Sequence, residues 1–119
     1  MLKVGVIGAG SMGRHHVRVY SELENCQLVG VSDPNAEKAE LAQQYGAQFF
    51  NDYRALLEQG LDLVSIAAPT SLHFQIACEA LDSGANLLVE KPITDSLETA
   101  ADLIARGKAA GKSIAVGHI

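Results

Sequence analysis

The chain of 119 residues contains no tryptophan and only two cysteines, and aromatic residues make up 5% of it. Cys26 and Cys78 share no paired spacing with each other or with histidine. They therefore give no support for a disulfide framework or a metal site and read as small buried apolar residues. Cationic residues are also scarce: nine Lys and Arg stand against fourteen Asp and Glu, for a formal charge of −5. That balance argues against a nucleic-acid surface, which would need a basic face to neutralise phosphates. No apolar run reaches the ~18 to 20 residues of a membrane span. The first residues lead directly into a strand instead of resembling a targeting leader, so a cytoplasmic location is the default expectation. The length fits one domain spanning residues 1–119 with a real core, and nothing in the composition points to disorder.

Glycine, by contrast, is present eleven times, and its placement is informative. Val4-Gly5-Val6-Ile7 is an apolar run that meets Gly8, Gly10 and Gly13 at G-x-G-x-x-G spacing, and an amphipathic segment follows. This pattern predicts a strand, a tight turn and the opening of a helix. At such a turn Gly8 gives backbone freedom, Gly10 removes a side chain where a pyrophosphate approaches, and Gly13 lets the helix lie close on the strand. Free amides and the positive helix end then face the anion, whatever the sign of the whole chain. Glycines also serve ordinary turns, so the spacing alone is weak. Its context is stronger, because Asp33 lies twenty residues beyond Gly13 at the end of a second apolar run, Leu28-Val29-Gly30-Val31-Ser32.

Met12, His16, Tyr20 and Leu23 recur at helical spacing and predict a helix to about Glu24. Adjacent histidines point in two directions on a helix, so His15 and His16 read as structural or solvent-exposed. A second strand over residues 27–32 ends in Asp33-Pro34-Asn35, where Asn35 or Asp33 caps a helix running to Tyr45. Asp33 can equally bond the adenosine ribose hydroxyls, and the two roles are compatible. A fixed anion there repels a 2′-phosphate, and residues 34–36 carry no Arg or Lys to hold one. NAD is therefore expected in preference to NADP, with Arg14 a nearby cation.

A short strand over 47–50 precedes Asn51 or Asp52 as a cap and a helix bearing Leu56 and Leu57. Residues 63–68 read as a central buried strand closed by Pro69, with Thr70 or Ser71 capping a helix that carries Ile76, Ala77, Ala80 and Leu81. Leu87-Leu88-Val89 is the fifth strand and ends in Glu90-Lys91-Pro92; Asp95 with Glu98 resembles a capping box for the last helix. A sixth strand over 113–116 leads to Gly117-His118-Ile119. Alternating apolar strands and helices specify an α/β fold: a doubly wound parallel Rossmann sheet in the order 3-2-1-4-5-6. Ligands of such sheets bind outside the carboxyl ends of the strands. Gly8 to Gly13, Asp33, Pro69 to His73, Glu90 to Pro92 and His118 all fall there.

The segments Gly8-Ala9-Gly10-Ser11-Met12-Gly13-Arg14, Ser32-Asp33-Pro34, Ala68-Pro69-Thr70-Ser71-Leu72-His73, Glu90-Lys91-Pro92 and Gly117-His118 together resemble the N-terminal domain of the glucose-fructose oxidoreductase, inositol dehydrogenase and rhizopine catabolism family (Gfo/Idh/MocA). The resemblance spans the chain, and Glu-Lys-Pro is its most specific part. It implies that Gly8, Gly10, Ser11, Met12 and Gly13 hold the pyrophosphate and Asp33 the adenosine ribose. It places Ala68, Pro69, Thr70 and His73 along the nicotinamide side, with Glu90, Lys91 and Pro92 at the reacting end. Lys91 is the catalytic candidate, an ammonium that orients the substrate hydroxyl or joins a proton relay. Pro92 permits a cis bond that can fix the Lys91 side chain toward the cleft. His118 is a lower-ranked substrate contact.

The family also pairs this domain with a larger α/β domain that supplies much of the substrate site and, commonly, the oligomer interface. That second domain, with the usual catalytic histidine, is absent from these residues. The expectation is a cofactor-binding domain that binds NAD but turns over little by itself. It would belong to an oxidoreductase acting on the CH–OH group of a sugar, polyol or nucleotide sugar. The alternatives are a non-catalytic nucleotide-sensing or CoA-binding module on the same fold, or a methyl-donor site. A sensor needs no ammonium beside the nicotinamide, and a methyl-donor site explains neither Gly13 nor Glu90-Lys91-Pro92.

Overall fold

The structure is a computed structural model that describes residues 1–117. Six parallel strands alternate with helices: β1 (Leu2–Ile7), α1 (Ser11–Glu22), β2 (Cys26–Ser32), a 3₁₀ turn (Ala36–Lys38), α2 (Ala39–Gln44), β3 (Gln48–Phe50), α3 (Tyr53–Leu57), β4 (Leu63–Ile66), α4 (Thr70–Asp82), β5 (Asn86–Val89), α5 (Leu97–Ala110) and β6 (Ile114–Val116). Their order across the sheet is β3-β2-β1-β4-β5-β6, as the sequence predicts. The chain starts in the middle of the sheet, builds outward to β3, then returns to β4 and builds the other way. Right-handed crossovers therefore carry α1 and α2 to one face and α3, α4 and α5 to the other.

Each face has its own core. Val4, Val6, Val17, Tyr20, Val31 and Leu41 close one side. Ile7, Leu56, Val64, Ile66, Ile76, Leu87, Val89 and Leu103 close the other. Burying each such aliphatic side chain stabilises the fold by about 1.5–3 kcal/mol, which is why the strands are almost wholly apolar. Among the described residues no helix is long and apolar enough to cross a membrane.

Several local expectations shift at the helix ends. The first helix stops at Glu22, two residues early, and Leu23 is 43% exposed. Asn35, not Asp33, caps the following turn, its side chain accepting from Glu37 N. The segment that the sequence gives one helix divides into a 3₁₀ turn and the six residues of α2. Asp52 caps α3 by accepting from Arg54 N, but α4 begins behind Pro69 with no side-chain cap. Ser96 rather than Asp95 caps α5, accepting from Thr99 N. Asp95 lies one residue too early for its carboxylate to occupy the capping position. Cys26 and Cys78 are half-buried free thiols at the edges of the two cores, less enclosed than their apolar character suggests.

Candidate functional site

Four strand tips, those of β3, β2, β1 and β4, are stitched together where the two halves of the sheet part. Gly8 N donates to Ser32 O at 2.8 Å, Ala67 N donates to Ile7 O at 2.8 Å, and Asp33 N donates to Phe50 O at 3.1 Å. Over these tips lies a cleft of about 510 Å³. The glycine turn forms its floor with Gly8, Gly10, Ser11 and Met12; Asp33 and Pro34 form one wall, and Ala68, Pro69, Leu72 and Ile76 the other.

The three motif glycines have separate physical causes. Gly8 has φ +101°, and a Cβ there would lie 2.6 Å from Ala67 C, so both conformation and space exclude a side chain. At Gly13 a Cβ would stand 1.8 Å from Gly8 O, which is how α1 comes to rest on the turn. Gly10 differs: its backbone is ordinary, at φ −72°, and a Cβ would meet nothing within 4 Å. Packing does not demand glycine at position 10. The open space above it belongs to the cleft, beside the first-turn amides of α1, which have no partner inside the helix. This bare, amide-lined cradle at a helix N-terminus fits a diphosphate.

Asp33 stands half-buried beside it. Its Oδ2 accepts from Ala9 N at 2.9 Å and its Oδ1 from Asn35 N at 2.9 Å, so the carboxylate is held rigidly at the cleft wall. Each oxygen keeps a further lone pair for a diol.

The remaining sequence candidates are placed differently. Ala68 and Pro69 line the cleft, whereas Thr70, His73, Glu90, Lys91 and Pro92 lie outside its wall. His73 is buried, with Nε2 at 2.7 Å from Ala68 O and Nδ1 at 3.1 Å from Pro92 O. It thus bridges the two loops between which the sequence reading expects a nicotinamide, and both ring nitrogens point at main-chain carbonyls. Glu90 is buried, Lys91 is exposed, and the Lys91–Pro92 bond is cis. His118 lies outside the described residues.

Two features of this end of the sheet escape the sequence reading. Asn51 and Tyr53 line the cleft from the end of β3. The sequence treats Asn51 only as a possible cap, although its place after a strand tip is the signal that would have found it. Burial, followed by its hydrogen bond to Glu79, pushes the Tyr53 phenol up to about 12. Glu79 in turn is held below its ordinary range: burial acts to raise it, but hydrogen bonds from Tyr53 and Arg54 prevail. His16 bears out the structural half of its reading, but its partners are not foreseen. It is fully buried and bonds Ser65 and Glu90, which helical spacing with Met12 and Tyr20 hinted at by placing it on the inward face.

A doubly wound sheet with a glycine-rich turn between its first strand and first helix, and an acid at the tip of the second strand, defines the class as a dinucleotide-binding Rossmann domain. Comparison with known proteins makes this specific. The family model described as "Oxidoreductase family, NAD-binding Rossmann fold" matches residues 2–118, and the chain belongs to this Gfo/Idh/MocA family. It is 41% identical over 119 residues to UDP-N-acetylglucosamine 3-dehydrogenase of Acidithiobacillus ferrooxidans, covering 99% of this chain and 37% of that protein. A structure of that enzyme superposes with a TM-score of 0.91 at 40% identity, over 98% of this chain and 38% of the other. The chain is also 32% identical over 122 residues to scyllo-inositol 2-dehydrogenase (NAD(+)) of Bacillus subtilis, covering 99% of this chain and 36% of that protein. Biliverdin reductase from Synechocystis, solved with biliverdin and NADP+, matches with a TM-score of 0.91 at 26% identity, over 97% of this chain and 37% of the other. The chain thus spans little more than a third of the length of these relatives.

Proposed function

We propose that this chain is the cofactor-binding part of a dehydrogenase that moves a hydride between NAD and the CH–OH carbon of a sugar, polyol or nucleotide sugar. The observation that carries the reading is Gly10, a motif glycine required by neither conformation nor packing and opening onto a cleft lined by helix amides. The relatives' names, a nucleotide-sugar 3-dehydrogenase and an inositol 2-dehydrogenase, support the substrate class.

Bound NAD supplies the hydride acceptor. The chain's own residues do the rest. The amides of Ser11, Met12 and Gly13 bind the diphosphate, Asp33 takes the adenosine ribose diol, and Ala68 and Pro69 lie along the nicotinamide side. The fixed Asp33 carboxylate favours NAD by repelling a 2′-phosphate. Lys91, exposed at the end of β5, orients the substrate hydroxyl and assists loss of its proton. Substrate contacts and the main proton acceptor come from a further domain, through which the whole protein also oligomerises.

Calorimetry of the 119-residue chain with NAD, NADP and CoA tests the reading. Micromolar NAD binding with no heat from CoA is expected. Tight CoA binding without NAD binding would instead make it a CoA module, and rapid polyol oxidation by these residues alone would overturn the need for a second domain.

A further inference from the structure

A chain of buried polar groups runs beneath the candidate site without entering the cleft. Tyr20 Oη lies 3.0 Å from Ser65 Oγ, Ser65 Oγ lies 2.7 Å from His16 Nδ1, and His16 Nε2 bonds Glu90 Oε1. His16 and Ser65 are fully buried, while Tyr20 is 4% and Glu90 7% exposed. The groups come from three separate elements: α1, the middle of β4 and the end of β5.

Donor counting gives this chain a direction. Among the described residues Tyr20 Oη has Ser65 Oγ as its hydrogen-bond partner, so its proton must go there. Burial raises the Tyr20 phenol, so it stays protonated. Ser65 Oγ accepts from Tyr20 and must then send its own proton to His16 Nδ1, because a ring protonated at that nitrogen would leave the serine proton with no acceptor. The imidazole is left with its hydrogen on Nε2, donating to Glu90. In this arrangement each polar side-chain atom of the network has a partner, and no buried side-chain polar atom among the described residues is orphaned.

The consequence is mechanical. α1 carries the phosphate cradle at its N-terminus, and Glu90 immediately precedes Lys91. We propose that His16 is a positioning residue: by holding the Glu90 carboxylate it fixes the Glu90-Lys91-Pro92 turn relative to the phosphate-binding helix, so that the two ends of the dinucleotide meet a single rigid frame. The proposal rests on the reading of the site given above. His16 is not itself among the residues lining the cleft, and its side chain reaches the Glu90-Lys91-Pro92 turn through Glu90. A low-exposure network with every member satisfied is the kind of support that keeps such geometry within a fraction of an ångström.

The test compares NADH, which reaches both ends of the frame, with ADP-ribose, which reaches only the phosphate end. The unaltered chain is expected to bind NADH more tightly than ADP-ribose; equal binding, or none, would overturn the reading of the site together with this inference. His16→Asn keeps an acceptor near Ser65 but cannot reach Glu90. It is expected to weaken NADH by about tenfold, the weight of one hydrogen bond to a charged group, while ADP-ribose stays within about twofold. His16→Gln, whose amide N–H reaches the Nε2 position, is expected to restore NADH. Equal loss for both ligands, or loss for neither, would overturn the positioning role and leave the reading of the site standing. Should His16→Asn fail to fold, Glu90→Ala cuts the same bond from the other end and must show the same NADH-selective loss. Nitrogen-15 spectra of the unaltered chain test the wiring without any ligand. A protonated Nε2 with an unprotonated Nδ1 is expected for His16, and a proton on Nδ1 would overturn the assignment.

Discussion

The main-chain N–H of Ala9 donates to Oδ2 of Asp33 at 2.9 Å, across the gap between the first turn and the tip of the second strand. Two parts of the site that lie 24 residues apart are thereby one rigid unit. The carboxylate cannot swing away from a 2′-phosphate, because Asn35 N holds its other oxygen. We therefore expect the chain to bind NAD more tightly than NADP by roughly tenfold or more, equivalent to about 1.4 kcal/mol. Asp33→Ser should narrow that ratio. Equal dissociation constants in the unaltered chain would refute the role of Asp33.

Position 10 separates binding from folding. Gly10→Val projects a branched side chain into open space, so thermal unfolding should shift by no more than a few degrees. NAD affinity should fall at least about a hundredfold, since the diphosphate can no longer reach the amides. Gly13→Ala should do the reverse and unfold the chain, its Cβ falling 1.8 Å from Gly8 O. Calorimetry and circular dichroism on the pair decide the matter; a folded Gly13→Ala chain would contradict the packing described here.

Alkaline pH should loosen the wall of the cleft at Tyr53. The phenol rises from its ordinary 10.0 to about 12 in the fold, so the folded state holds its proton more firmly than the unfolded state. Its contribution to stability is complete below about pH 10 and disappears between 10 and about 12. Denaturant unfolding across that window should show a decline that Tyr53→Phe makes shallower, the remainder belonging to other raised groups such as Tyr20. An identical decline in the variant would assign the effect to other groups.

The last helix offers a test of its cap. Ser96→Ala removes the acceptor for Thr99 N and should cost about 0.5–2 kcal/mol, read from urea unfolding. Asp95→Ala should cost much less. A larger effect at Asp95 would restore the capping box that the sequence suggests.

This last contrast illustrates what the sequence discloses and what it conceals. Strand order, the glycine turn and Asp33 were legible because each depends on short-range pattern: apolar runs, fixed spacing, an acid at a strand end. Periodicity is tolerant of one-residue errors, so Asp95 and Ser96 could exchange roles without disturbing the helix they precede. His16 shows the deeper limit. Helical spacing turns it inward, but its partners Ser65 and Glu90 stand 49 and 74 residues away, and only the folded sheet brings them to it. Tyr53 was within reach of the sequence, because the predicted order sets β3 beside β2 and so brings a residue just past β3 to the cleft.

Neighbouring strands β1 and β4 send their helices to opposite sides of the sheet, and this has an evolutionary implication. The crevice between them is a by-product of how the backbone is threaded, so no point substitution on its rim can abolish it. Descendants of such a chain inherit the crevice and vary chiefly in the chemistry of its rim.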